Sequence, residues 1–195
     1  MTPVVVTALL ICNCLDSSLF TSKLRSVLCM KKVLDTYEVN RSTMALLSVA
    51  HIDYCCIALE DNQTLYVRQT PISIVKASCL DGGSTYDGRR TAVTHRTGSK
   101  HRVPIPINPN ENIFAFPTHS PKAFECSWIF YHHVKSIKTF SSPTNHAIQT
   151  VITFQNGHQE ILNESYYILK KQYQQTAICI LAFAPQHRDS PSRLL

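Results

Sequence analysis

The chain has 195 residues, 44% of them hydrophobic, with a formal charge of +6 and a pI near 8.9. That content supports a packed core and excludes a disordered chain. The length suits one domain with tails. The positive balance points to an anionic partner: nucleic acid, an acidic protein or an acidic membrane surface.

Residues 1–29 open with an apolar stretch, Pro3 to Leu15, shorter than the roughly 20 residues a membrane span needs. No Lys or Arg precedes it, and no clear small-residue cleavage site follows, so it is a poor secretion signal. It reads as a leader added by an upstream start codon, with Met30-Lys31-Lys32 a more natural beginning. Tyr37–Ala50 mixes β-branched, apolar and polar residues. Residues Asp53–Leu59 and Thr64–Arg68 read as two strands around the turn Glu60–Gln63. Pro71 opens a short helix near residues 71–79, with Ile72, Val75 and Cys79 as its stripe and Gly82-Gly83 as its stop.

Ser84–Arg102 has little apolar content and reads as a basic surface segment. Pro104, Pro106 and Pro109 then enforce extended backbone. Ile113–Phe116 reads as a strand closed by Pro117, Ser127–Phe140 as one long strand, and Ala147–Phe154 as another. Asn156-Gly157 is the strongest hairpin signal, with His158–Leu162 returning. Glu164 to Leu181 reads as a C-terminal helix, and the tail after Pro185 is polar. The fold class is therefore α+β: a mostly antiparallel sheet with a short helix and a C-terminal helix.

The eight cysteines (12, 14, 29, 55, 56, 79, 126 and 179) sit largely inside apolar runs. Cys55 and Cys56 are strand neighbours facing opposite ways, unsuited to a bridge. They read as reduced, mostly buried thiols. Three glycosylation sequons, at Asn40, Asn62 and Asn163, matter only in a secreted protein.

Catalytic patterns are weak. Ser73-Ile74-Val75-Lys76 with Arg96-Thr97-Gly98 loosely matches acyl-enzyme motifs, but the intervening chain is too short. Gly83 and Gly88 have phosphate-loop spacing, but Arg89-Arg90 stand where Lys-Ser/Thr belongs. Cys12-Asn13-Cys14, Cys126 and His132-His133 lack the paired spacing of a metal site. The residues call for no cofactor, metal or catalytic role.

The basic segment is the most informative feature. Arg89, Arg90, Arg96, Lys100 and Arg102 stand close together with His95 and His101, and Asp87 is the only acid from Tyr86 to Arg102. Residues 85–140 hold eight Lys or Arg against three acids, most of the chain's surplus. Such residues neutralise phosphates and release counterions. Arginine is favoured in narrow A/T minor grooves. Gly83, Gly88 and Gly98 suit close backbone approach to a duplex. Lys135 and Lys138 either extend the patch or form the exposed face of a strand. On this evidence alone, the same surface equally suits an interaction module that binds an acidic protein, or a solvated face without a partner.

Several blocks, in one order, resemble the ComK family of competence transcription factors. They are Tyr37-Glu38-Val39-Asn40, Gly83-Ser84-Thr85-Tyr86-Asp87-Gly88-Arg89, Asn108 through Thr118 with Ile113-Phe114-Ala115-Phe116-Pro117, Cys126-Ser127-Trp128-Ile129, His133-Val134-Lys135, Thr153-Phe154-Gln155-Asn156-Gly157, and Ser165-Tyr166 through Thr176-Ala177. The resemblance implies a cytoplasmic activator of DNA-uptake genes that binds paired A/T-rich boxes, mainly through the minor groove. It implies self-association as a dimer or tetramer on DNA, contact with RNA polymerase, and turnover through a MecA-type adaptor with a Clp protease. It implies no membrane partner. It divides the chain into a leader, 1–29, a DNA-binding domain, 30–177, and a divergent, shortened tail, 178–195, that puts full activity in question. It carries over no residue-level contacts; the charge argument makes Tyr86, Arg89, Arg90, Arg96, Lys100, His101, Arg102, Lys135 and Lys138 the expected DNA contacts.

Overall fold

The computed structural model describes residues 32–141 and 148–183. The leader, Met30, Cys12, Cys14, Cys29 and the tail from residue 184 lie outside the described residues.

The chain begins with strands β1 (Val33–Leu34), β2 (Thr43–Ser48), β3 (Cys56–Glu60) and β4 (Thr64–Val67). Helices α1 (Pro71–Asp81) and α2 (Tyr86–Thr97) follow. Next come β5 (Ile105–Asn108), β6 (Ile113–Pro117), β7 (Trp128–Phe130), β8 (Val134–Ser141), β9 (Ile148–Phe154) and β10 (Gln159–Leu162). Helix α3 (Tyr166–Phe183) follows β10. The larger sheet has the order β1-β4-β3-β2-β7-β6-β5, and the smaller β10-β9-β8. All pairs are antiparallel except β1 with β4. The fold is thus α+β on a mostly antiparallel sheet, as expected.

Strand alternation sends residues of the larger sheet to two cores. Leu46, Cys56, Ala58, Ala115, Trp128 and Phe130 pack with Ile74, Val75 and Cys79 of α1. Ala45, Leu59, Phe116 and Ile129 face the other way, onto Val134, Ile152 and Phe154 of the smaller sheet and Leu169 of α3. A third cluster, Val93, Val103, Phe114 and Cys179, joins α2 to α3. β5 is an edge strand, where Pro106 costs no central ladder bond.

Two segments carry structure that the sequence reading did not give. Within the basic surface segment Ser84–Arg102, Tyr86–Thr97 is helical. Thr85 Oγ1 accepts from Gly88 N–H at 3.1 Å, capping the start. Gly98, in the left-handed region at φ 73°, closes the end. Only Tyr86 and Val93 are buried, so two anchors, each contributing roughly 1.5–3 kcal/mol, hold an otherwise polar helix. Gly88 lies inside the first turn rather than in a loop that approaches a ligand.

Likewise, Ser127–Phe140 is not one strand. A 3-10 turn at Tyr131–His133 separates β7 from β8. Phe130 belongs to the first core and Val134 to the second, so the chain crosses between sheets there. His133 secures the crossing: its Nε2 lies 2.8 Å from the Arg41 carbonyl oxygen, and its own carbonyl accepts from Gln155 N–H at 2.8 Å.

The other elements follow the sequence reading, except that Pro109 opens a 3-10 turn, Pro109–Glu111, instead of extended backbone. α1 runs on to Asp81, and Thr70 Oγ1 accepts from Ser73 N–H at its start. A Cβ on Gly82 would stand 2.4 Å from the Ile107 carbonyl oxygen, so the turn after α1 requires glycine. The β9–β10 hairpin turns at Asn156-Gly157, with Gly157 at φ 89°. Cys56, Cys79, Cys126 and Cys179 are buried free thiols, and Cys55 is half-buried and unbridged. Among the described residues, no helix is long and apolar enough to cross a membrane.

Candidate nucleic-acid interface

The helical period divides the basic segment into inward and outward residues. Tyr86 is 8% exposed and meets Trp128 edge to face, with ring centroids 6.2 Å apart. Burial pushes its phenol up to about 12, with nearby Arg90 opposing the shift. It serves as a core anchor. Arg89, on the same side, is half-buried and donates from Nη2 to the Gly82 carbonyl oxygen at 2.6 Å. That bond ties α2 to the end of α1.

Arg90 points outward. With Lys76 of α1 and Lys122 of the 118–127 loop it lines a concavity of about 290 Å³ at the start of α2. Asp87 also lines that hollow, and favours the positive end of the helix dipole. A shallow strip then follows the helix past Gly88, Thr91 and Ala92 to His95 and Arg96. Arg96 donates to the Ala182 carbonyl oxygen, and its guanidinium lies 4.9 Å from the Phe183 ring centroid. At the far end, Lys100 and His101 are exposed beside Lys171 of α3.

Arg102 has a different setting. Its backbone is left-handed, at φ 47°. Its guanidinium donates to Glu164 Oε2 at 2.7 Å and to the Thr118 carbonyl oxygen at 2.6 Å. Lys135 and Lys138 are exposed on β8, in the smaller sheet, a different layer from α2.

The fold therefore gathers Arg90 at one end of α2 and Arg96, Lys100 and His101 at the other. Tyr86, Arg89 and Arg102 are engaged within the fold, and Arg96, though exposed, is tethered to the end of α3. Lys76, Lys122 and Lys171 join the basic face from elements distant in sequence. The outward positions of α1 and α3 were the only available sequence signal for Lys76 and Lys171; their nearness to α2 is tertiary.

Other candidate chemistry resolves locally. The Ser73 hydroxyl lies 2.8 Å from Thr70 Oγ1, within the α1 cap. Among the described residues, no group of three or more His, Cys, Asp or Glu is arranged to hold a metal ion.

Comparison with known proteins supplies the context. The model of the ComK protein family matches residues 34–188, a stretch that continues past Ala177 through the end of α3. The competence transcription factor of Bacillus subtilis (strain 168) is 36% identical over 146 residues, covering 74% of this chain and 73% of that protein. No solved structure matches the chain.

Proposed function

The chain belongs to the ComK family, and from that membership we propose that it is a DNA-binding transcription activator of competence genes, reading A/T-rich boxes through the basic face along α2. The observation that carries this reading is the placement of outward basic side chains at both ends of one capped helix: Lys76, Arg90 and Lys122 at its start, Arg96, Lys100, His101 and Lys171 at its end.

Twelve helical residues rise about 18 Å at 1.5 Å each. That length lets the two groups meet separate phosphates along one face of a duplex. These contacts supply affinity and register without reading sequence. Preference for A/T comes from an arginine in a narrow minor groove, where the negative potential is deepest. Arg90 is the best placed for that role because its guanidinium is exposed and makes no hydrogen bond or ion pair among the described residues. Lys135 and Lys138 add a secondary contact if DNA bends onto the smaller sheet.

The reading places the protein in the cytoplasm, self-associated as a dimer or tetramer on paired boxes and contacting RNA polymerase. A MecA-type adaptor with a Clp protease removes it. An electrophoretic mobility shift with A/T-box against G/C-rich duplex tests the core of it. A shift confined to, or much stronger on, the A/T boxes is expected; equal shifts would remove the sequence-specific part.

A further inference from the structure

The outer edges of the two sheets are not alike. β1 ends one side of the larger sheet with only two residues, and β5 ends the other and carries Pro106. β8, at one side of the smaller sheet, shows Lys135 and Lys138 to solvent and has an irregular register between Val134 and Ser136. Short length, proline, lysine and bulges are the devices that keep an edge from pairing with another chain. β10, at the other side, matches β5 in length but has no proline, no Lys or Arg, and no shift in its register with β9. It also carries Ile161, which is 51% exposed.

The register fixes what this edge offers. Ile152 and Phe154 are fully buried, so Val151 and Thr153 point outward. Residues opposite each other share a face, so Ile161, opposite Val151, and Gln159, opposite Thr153, point outward too. Lys138 lies opposite Val151 on the other side, which gives one row across the sheet, Lys138-Val151-Ile161, ending at the edge. Phe154 N–H donates to the His158 carbonyl oxygen at 2.8 Å, which makes 154 and 158 a hydrogen-bonded pair. Such pairs alternate along an antiparallel ladder. Glu160 and Leu162 therefore bond back to β9. The N–H and C=O groups of Gln159 and Ile161 point away from it, and none of the described residues bonds to them.

A second β10 fits that edge. Two identical antiparallel strands keep their faces matched only when the two-fold axis falls on a residue. An axis at Glu160 sets two carboxylates side by side, a destabilising pair. An axis at Ile161 sets Ile161 beside its mate, Glu160 beside Leu162 and Gln159 beside Asn163. It uses the outward N–H and C=O groups. It also continues the row through both copies as Lys138-Val151-Ile161-Ile161-Val151-Lys138, apolar in the middle and with the like charges at the far ends. We propose that the β10 edge is a two-fold interface between copies of this chain, joining two three-stranded sheets into one of six strands. One short strand pair falls below the roughly 1,000 Å² that a stable interface buries, so the contact is weak between free chains. Two copies held on one duplex raise its effective concentration. That last step rests on the reading above; the choice of edge and register does not.

The test uses the full chain, with analytical ultracentrifugation across a concentration series, free and on a duplex carrying two A/T boxes. Opposite Cα atoms in a hydrogen-bonded pair lie about 5.5 Å apart, within disulfide reach. Under mild oxidation Ile161→Cys should therefore link copy to copy through position 161, read by the mass of the joined peptides. Ile161→Lys sets like charges at the axis and should weaken the dimer roughly tenfold or more. At an exposed position it should leave the melting temperature nearly unchanged. A chain that dimerises through position 161 but binds no duplex keeps the interface and removes the DNA reading. Independent monomers on both boxes, with no link at position 161, keep the DNA reading and overturn the interface. The proposal is also overturned if the chain stays monomeric both free and on DNA, or if Ile161→Lys leaves the dimer intact and no link forms. A link from position 161 to Cys12, Cys14 or Cys29 would give the edge to the leader and overturn it as well.

Discussion

Arg102 and Glu164 form an ion pair 2.7 Å long, with side chains only 27% and 10% exposed. The carboxylate does more than neutralise one arginine. His119 Nε2 stands 3.3 Å from the same oxygen, and the other oxygen accepts from Ser165 N–H at 3.0 Å. The Glu164 carbonyl accepts from Thr150 Oγ1 of β9 at 2.6 Å. One residue therefore joins the basic loop, the 118–127 loop, the smaller sheet and the start of α3.

Removing one member of such a pair strands the other charge. Glu164→Ala is expected to destabilise the domain by about 2–4 kcal/mol, somewhat below a fully buried pair because Arg102 keeps some contact with water. The double variant Arg102→Met, Glu164→Leu should recover a substantial part of that loss. Urea melts of the singles and the double give the coupling; strict additivity would mean the pair contributes nothing.

Trp128 has no exposed surface and packs against Tyr86. Trp128→Ala should cost roughly 3–5 kcal/mol in denaturant melts, and an effect below about 1 kcal/mol would contradict its place in the core. Tyr86→Phe keeps the ring contact and should change DNA affinity less than about twofold. A larger loss would return the phenol to the interface.

The cores of this protein were legible because strands advertise themselves by alternation: Ile113–Phe116, Ala147–Phe154 and the Asn156-Gly157 hairpin stand close to where their residues indicate. α2 was hidden because two buried side chains carry it. A helix anchored at Tyr86 and Val93 alone has almost no apolar period, and its evidence lay in the Thr85 cap and Gly98 stop. The split of Ser127–Phe140 was hidden because both halves are strands; only the destination of Phe130 and Val134 in different cores separates them. The basic character of the site was readable from composition. Which arginines face water was not, since Arg89 and Arg90 differ only by the rotation of a helix not evident in the sequence.

Burial pushes the thiols of Cys56 and Cys179 up to about 12 and those of Cys79 and Cys126 up to about 11, from an ordinary 9.0. The folded state therefore keeps its protons where the unfolded chain loses them. The resulting stabilisation is fully present below pH 9 and is lost as pH rises from about 9 to 11–12. Unfolding free energy should fall across that window by at most about 1.4 kcal/mol per pH unit for each titrating thiol. Mass mapping after thiol labelling at pH 8 should find these four cysteines modified only when the chain is unfolded. Rapid native labelling of any of them would contradict the burial.

Adjacent arginines should separate cleanly. Arg90→Ala is expected to leave the melting temperature nearly unchanged and to lower affinity more on A/T boxes than on G/C-rich duplex. Arg89→Ala breaks the bond to the Gly82 carbonyl and should lower stability by about 1–2 kcal/mol. Measured at the same folded concentration, its DNA affinity should stay near that of the wild type. The reverse pattern would place Arg89 on DNA and Arg90 in the fold.

The central claim is that the face along α2 binds DNA by neutralising phosphates and prefers A/T-rich sites. The most direct measurement is anisotropy titration of A/T-box and G/C-rich duplexes across a salt series. Six Lys and Arg residues, at positions 76, 90, 96, 100, 122 and 171, line that face. Full engagement predicts a slope of log affinity against log salt of about −5 on both duplexes, with the A/T boxes bound at least tenfold more tightly at every salt concentration. A slope near zero, or identical affinity for the two duplexes, would contradict the account.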